Sequence, residues 1–267
     1  MKHKSLLILS GTALTLFFIL TAFSGNKQPN PDDELQHNET NIRKGDAKLV
    51  YADITLPAGV LKISSGTEEI NLFEGKFTYD KSIWEPVISY EEADETGNLR
   101  VTSERDHVSI DDKADYVWNI KLNGDVNFDL SLNFGAGKGD LDLSQMNLRD
   151  LDISLGAGEY YLDLAGSSLS SFDFNAGAGE AVIDLGGEWN NSLNADLNCG
   201  FGKITIKLPS KVGVRVEVRG LLGDIDYNDL IKINRNRYQN EHFGKSSTNL
   251  NIDINGGIGE VNLVTVP

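Results

Sequence analysis

A Gly-x-Gly motif recurs at a nearly fixed interval along this chain, each time between two short runs of alternating apolar and polar residues. LNFGAGKGDLDL (132–143), ISLGAGEYYLDLAG (153–166) and FNAGAGEAVIDL (174–185) are three such units. The second glycine falls at positions 137, 158, 179 and 202 and is continued at 223 and 259, so the intervals are 21, 21, 23, 21 and 36. Ahead of the glycines every second residue is apolar, as in Leu130/Leu132/Phe134, Leu151/Ile153/Leu155 and Ala195/Leu197/Cys199. Behind them stand Leu141/Leu143, Leu162/Leu164, Ile183/Leu185 and Ile206/Leu208. Period-two alternation means strands with one buried face. A fixed period near twenty makes each unit one coil of a solenoid, which buries that face against its neighbours. The expected fold is all-β, a single β-solenoid with coils of about 21 residues.

The glycines read as corners, not as a ligand cradle. A coil made of two strands reverses sharply between them, and glycine both reaches positive φ and admits the neighbouring backbone. A dinucleotide loop needs G-x-G-x-x-G opening a helix, whereas Gly156-Ala157-Gly158 runs on into a strand with Tyr161 at the last position. Gly137-Lys138 and Gly244-Lys245-Ser246 lack the upstream glycine of a phosphate loop. Gly256-Gly257-Ile258-Gly259 has Val261 where the calcium nonapeptide requires Asp.

Of 267 residues 24 are basic and 40 acidic, a net charge of −16, which argues against nucleic acid as a partner. Cys199 is the sole cysteine, so no internal disulfide or cysteine-based metal site exists. Lys2-His3-Lys4 followed by an apolar run from Leu6 to Phe23 marks residues 1–24 as a signal peptide or membrane anchor, the two readings being evenly balanced. Everything after it is expected on the extracytoplasmic side, with the membrane touched only through that segment. Residues 25–47 are polar and hold two prolines, the composition of a flexible linker.

Two acidic rows follow from the period. Asp152, Asp173, Asp196, Glu217 and Asp253 precede the corners; Asp142, Asp163 and Asp184 follow them, all on outward parity. A flat row converges poorly on a cation that wants six or more oxygens, so these rows read as a solvated, self-repelling face. Cys199 has inward parity and reads as an inert, buried thiol. Trp84, Trp118 and Trp189 read as packing. His37, His107 and His242 are scattered, and neither H-E-x-x-H nor G-x-S-x-G occurs. No catalytic residue, metal ligand or cofactor is expected.

DITLPAGVLKI (53–63), NLFEGKFTY (71–79), WEPVISYEE (84–92) and WNIKLNGDVNFDLSLNFGAG (118–137), then the Gly-x-Gly coils and NLNIDINGGIGEVNLV (249–264), together carry a resemblance. The chain resembles the toast-rack module of bacterial envelope proteins, found in LiaF-like cell-wall-active-antibiotic-response proteins and related adhesins. On that resemblance, 48–125 is the N-terminal part of the module and 126–267 the Gly-x-Gly solenoid. It implies a non-enzymatic cell-envelope protein, in the periplasm or on the outer face of the inner membrane. The implied role is a binding or regulatory module tied to the envelope-stress response. A carbohydrate-binding surface adhesin is the alternative; exposed aromatics across coils would favour it, a localised charged patch the first.

Charge asymmetry points to a partner site. Residues 25–202 hold 13 basic and 33 acidic residues, whereas 203–245 hold nine basic and five acidic. Arg215, Arg219, Lys232, Arg235, Arg237 and Lys245, with Tyr238 among them, are therefore the candidate partner-binding residues, and the partner an envelope protein or anionic envelope polymer. The competing reading is that these bases neutralise the neighbouring acidic rows, as Lys207 would beside Asp184.

Overall fold

Alternation and period together yield six long parallel strands, stacked one coil above the next. The computed structural model describes residues 15–16, 35–80, 84–105, 116–220 and 222–267, and no helix occurs among them. In chain order the strands are β1 (Thr15–Leu16), β2 (Leu35–Arg43), β3 (Leu49–Ser65), β4 (Asn71–Asp80), β5 (Trp84–Ala93), β6 (Thr96–Arg105), β7 (Val117–Leu122) and β8 (Asn127–Asp142). There follow β9 (Asn147–Asp163), β10 (Ser171–Asp184), β11 (Leu193–Pro209), β12 (Gly213–Arg219), β13 (Leu222–Asp226), β14 (Ile231–Lys232), β15 (Arg237–Gln239) and β16 (Asn249–Val266). The long strands lie in the order β3-β8-β9-β10-β11-β16. The period sets their register: Phe172 sits level with Leu151 on one side and Ala195 on the other.

Each long strand breaks at its glycines into two halves, and the halves lead to different neighbours. The first half of β3 pairs with β6 and its second half with β7; the first half of β16 pairs with β12 and its second with β13. Inward side chains of both halves join one core, so the sheet must fold along the glycine line into two walls. Ile54, Leu132, Ile153, Phe174, Leu197 and Ile254 form one level row in the first wall; Ile63, Leu141, Leu162, Ile183, Ile206 and Leu263 form one in the second, all buried. Burying each such side chain contributes about 1.5–3 kcal/mol. A solenoid therefore owes its stability to these rows being unbroken.

At the corner, backbone approach decides the residue. A Cβ on Gly158 would run into the carbonyl oxygen of Gly137, and one on Gly179 into that of Gly158; Gly179 also has φ +125°. The corner reading of the motif holds, with close approach acting at every coil and positive φ at some.

Three elements differ from the expectation. The first coil is β3, whose corner is Pro57-Ala58-Gly59, level with Gly135-Ala136-Gly137. It lacks the first glycine and so escapes a Gly-x-Gly search. Part of the expected linker, Leu35–Arg43, is the edge strand β2 on β4. An edge strand needs little apolar surface, and Thr40 and Ile42 supply it. The third difference is spatial order. β16 lies between β11 and the β12–β13 coil, so Gly259 stacks on Gly202, and Gly223 comes last. The interval of 36 thus spans a hairpin and a strand inserted out of sequence, not one enlarged coil.

Further strands cover most of the ends, first a parallel strand on the stack and then antiparallel partners. At the N-terminal end β6 and β5 extend the first wall, and β7, β4 and β2 the second. At the other end β12, β15 and β14 extend the first wall. Apart from Thr15–Leu16, set against Glu91 and Glu92, the expected signal or anchor lies outside the described residues. Among the described residues no helix is long and apolar enough to cross a membrane.

Candidate functional site

The first wall presents a polar outer face that is eleven strands wide, from β5 to β14. At a strand spacing of about 4.8 Å it spans about 48 Å. Its middle row reads Asp152, Asp173, Asp196, Asp253, Glu217 across β9, β10, β11, β16 and β12. The row expected from the period is therefore real, with its last two members exchanged by the insertion of β16. Arg219 closes one end, 2.7 Å from Glu217 and 3.4 Å from Asp253; on the other side, beyond Ser131 of β8, Arg100 lies 3.6 Å from Asp53. Among the described residues Asp152, Asp173 and Asp196 have no ion-pair partner.

Beside the acidic row, nearer the corner, runs a row of amides and hydroxyls: Thr55, Asn133, Ser154, Asn175, Asn198 and Asn255. Asn255 Nδ2 donates to Asn198 Oδ1 at 3.0 Å, and Asn198 Nδ2 donates to Asn175 Oδ1 at 2.9 Å. With the backbone of the corner glycines these residues line an open trough of about 920 Å³. A second concavity of about 620 Å³ lies over β5, β6, β3, β8, β9 and β10 and includes Tyr51, Asp53, Glu91, Asp129, Asp152 and Asp173. Asn, Ser and Thr recur two residues before the corner in the sequence too; residue type at that phase was the signal, weaker than the glycines beside it.

The acidic row after the corners has a structural task. Asp163 Oδ1 accepts from the backbone N–H of Ala165 at 3.0 Å, Asp184 Oδ1 from that of Gly186 at 2.9 Å, and Asp142 Oδ1 from the Ser144 hydroxyl at 2.8 Å. These are Asx turns that end each coil. Lys207 completes the row, 2.9 Å from Asp184 and over the Tyr161 ring at 5.4 Å. No group of three or more potential metal-binding side chains occurs among the described residues.

The basic end is assembled differently from its sequence picture. Arg237 and Arg219 both bind Glu217, at 3.0 and 2.7 Å. Their hydrogen bonds, Arg237 foremost, hold the Glu217 carboxyl below its ordinary pKa. Arg215 lies over the Phe243 ring at 4.8 Å, and Lys232 over Tyr238 at 5.5 Å and Tyr227 at 5.7 Å. Tyr238 is buried, 1% exposed, with Tyr227 stacked on it. It belongs to the core: its strand position opposite Val216 turns the ring inward, which removes it from any partner surface. Arg235 and Lys245 are exposed and have no ion-pair partner among the described residues. They sit beyond opposite ends of β12, about 20 Å apart along a strand of seven residues. The structure thus brings Arg219 and Arg237 together around a carboxylate and leaves Arg235 and Lys245 separate.

Cys199 is half-buried at the corner, level with Ala176 and Gly256, where the small neighbours leave it partly uncovered. Burial pushes its thiol up to about 11. Full burial was expected; low reactivity follows all the same. The tryptophans pack as expected, and all three are buried. His37 and His242 lie at opposite ends of the stack, and His107 lies outside the described residues.

The family model for the N-terminal domain of toast_rack, DUF2154, matches residues 31–176 and 150–207. A crystal structure from Clostridium sporogenes, of a protein named as a candidate cell adhesion protein, is similar at 26% identity. The match covers 87% of this chain and 100% of that one, with a TM-score of 0.63. A candidate adhesin from Bacteroides fragilis is similar over 87% of this chain and 98% of its own, at 9% identity and a TM-score of 0.33, too distant to support an argument. No curated protein matches at a significant level. With the match running from residue 31 to 207, and the coils stacked along it as described, the chain belongs to the toast-rack family.

Proposed function

We propose that this protein is an exported, non-enzymatic, adhesin-like module that holds an extended ligand of the cell envelope along the polar face of its first wall. One observation carries the reading: straight rows of like polar side chains cross that face, an amide and hydroxyl row over six strands, about 24 Å, and an acidic row over five, about 19 Å. Catalysis needs unlike groups converging on one atom; a uniform lattice instead suits a ligand that repeats along its length. The family and the adhesion name of the Clostridium sporogenes neighbour support the same reading. A regulatory link to envelope stress is part of the proposal, with ligand occupancy of the face as its signal. The carbohydrate form of the reading draws on the Asn row; the rings of Trp84, Trp118 and Trp189 are buried and offer no stacking platform.

The test is co-sedimentation of the exported chain with purified cell-wall sacculi. The parent should pellet with the wall. An Asn175→Ala/Asn198→Ala/Asn255→Ala variant with unchanged thermal midpoint should lose roughly tenfold in affinity, as about three hydrogen bonds of about 0.5 kcal/mol each would give. Equal sedimentation of the two proteins would remove the polar face from the function.

A further inference from the structure

Among the described residues three of the four wall ends of the solenoid are covered by additional strands, and one is bare. The second wall stops at β13, whose five residues pair only with β16; among the described residues nothing bonds to its outer edge. Its side chains are almost all exposed. Leu222 is 70% exposed and the level Ile258 53%, and Tyr227, Ile231 and Ile233 are exposed near this end too, five of the eight large exposed apolar residues among those described. Unpaired strand edges attract further strands, and proteins normally shorten or cover them. Here the edge is apolar at one end, and carries Asp224 and Asp226 on its outward parity without ion-pair partners among the described residues.

The charges decide the occupant. A two-fold pairing of β13 with a second copy, centred on Asp224, sets that carboxylate against its own equivalent, and like charges directly opposite destabilise a strand pair. A head-to-tail copy would offer β2, the second-wall edge at the other end. Following the ladder from Asp226 through Asn262, Tyr161, Lys62 and Lys76 leads to Glu39, so continuous stacking again opposes two carboxylates. The segment just ahead of β2 contains Asp32-Asp33-Glu34 and suits the edge no better.

We propose that β13 is a strand-acceptor edge for another protein, which adds an extended segment of alternating basic and apolar residues to the second wall. Its basic side chains lie level with Asp224 and Asp226, and an apolar one between them continues the inward row of Ile225. Backbone hydrogen bonds supply affinity and the aspartates choose the sequence. The inference stands on the open edge alone, whether or not the first wall binds a wall polymer.

The experiment uses the full chain and a capped octapeptide of alternating valine and lysine, with glutamate in place of lysine as the control. Hydrogen exchange should slow at residues 222–226 with the lysine peptide only, and 0.5 M salt should weaken binding roughly tenfold by screening. Methylating alternate peptide nitrogens should abolish it. An Asp224→Lys/Asp226→Lys variant that melts like the parent should exchange its preference for the glutamate peptide. The proposal fails if neither peptide protects β13, if protection appears on the first-wall aspartates instead, or if the charge-reversed variant still prefers lysine. It also fails if phosphatidylglycerol vesicles protect 222–226 while the peptide does not, because the end would then be a membrane contact.

Discussion

Replacing Gly158 by alanine is the sharpest test of how the coils are held. An added Cβ would strike the carbonyl oxygen of Gly137, which is backbone and has no rotamer to adopt. The coils must then separate locally, although the ladder on both sides sets their spacing. Losing about three ladder hydrogen bonds at about 1 kcal/mol each gives a destabilisation of about 3 kcal/mol. Two controls isolate the cause. Gly177→Ala meets the Gly156 carbonyl at 2.8 Å, a milder intrusion. Gly244 has φ +75° with nothing near its Cβ position, so Gly244→Ala carries only left-handed strain, about 1–2 kcal/mol. Urea denaturation followed by circular dichroism should rank Gly158→Ala lowest in midpoint, with both controls closer to the parent. If Gly158→Ala lies within about 0.5 kcal/mol of the parent, ordinary surface tolerance applies and backbone contact does not set the corner.

Three further outcomes follow from single side chains. Cys199 should label about a hundredfold more slowly than a free thiol at pH 7.5, its pKa being raised from 9.0 to about 11. Because the unfolded thiol ionises first, stability should also sag as pH rises from about 9 to about 11, and Cys199→Ala should lessen the sag, the buried tyrosines whose pKa values are likewise raised contributing the rest; rapid native labelling would contradict the burial. The Tyr160 hydroxyl is buried without a hydrogen-bond partner among the described residues, so Tyr160→Phe should raise stability by about 1 kcal/mol in a thermal melt, and a lowered midpoint would reveal a partner for that oxygen. Glu217, its pKa lowered by Arg237 and Arg219, contributes stability above its unfolded pKa that is lost as pH falls through the depressed folded value. Glu217→Gln should abolish that acid dependence and, by freeing both arginines, lengthen retention on an anionic resin; unchanged retention would mean the arginines are not held by the carboxylate.

Most of the stack was legible because one coil repeats one physical problem. A strand that buries alternate residues and must turn without colliding with its neighbour leaves the same trace every 21 residues, as at Gly137, Gly158 and Gly179. β3 was harder to see because Pro57 stands where the later coils have their first glycine, in a stretch of β3 that pairs with neither β6 nor β7. The place of β16 was not legible at all. Spacing along the chain reports which residues share a phase, and Gly223 and Gly259 share it whichever lies next to Gly202. Tyr238 misled for a related reason: among Arg235, Arg237 and Lys245 it looks solvated, yet the pairing of β15 on β12 points it inward. The opposite error held for Asp142, Asp163 and Asp184, whose outward parity hid their bonds to the turns that follow.

The position of β16 has a consequence in time. A solenoid whose coils stack in chain order can fold as it emerges, each coil closing on the last. Here the coil at 213–226 finds its place only against β16, and β16 pairs with β11 across 57 residues, as Leu250 does with Leu193. While residues 249–266 are still being made, both β11 and the 213–226 coil present unpaired edges. A chain interrupted between residues 226 and 249 therefore loses more than its missing strand: the preceding coil is released as well, and protease resistance of that whole end arrives only with the last segment.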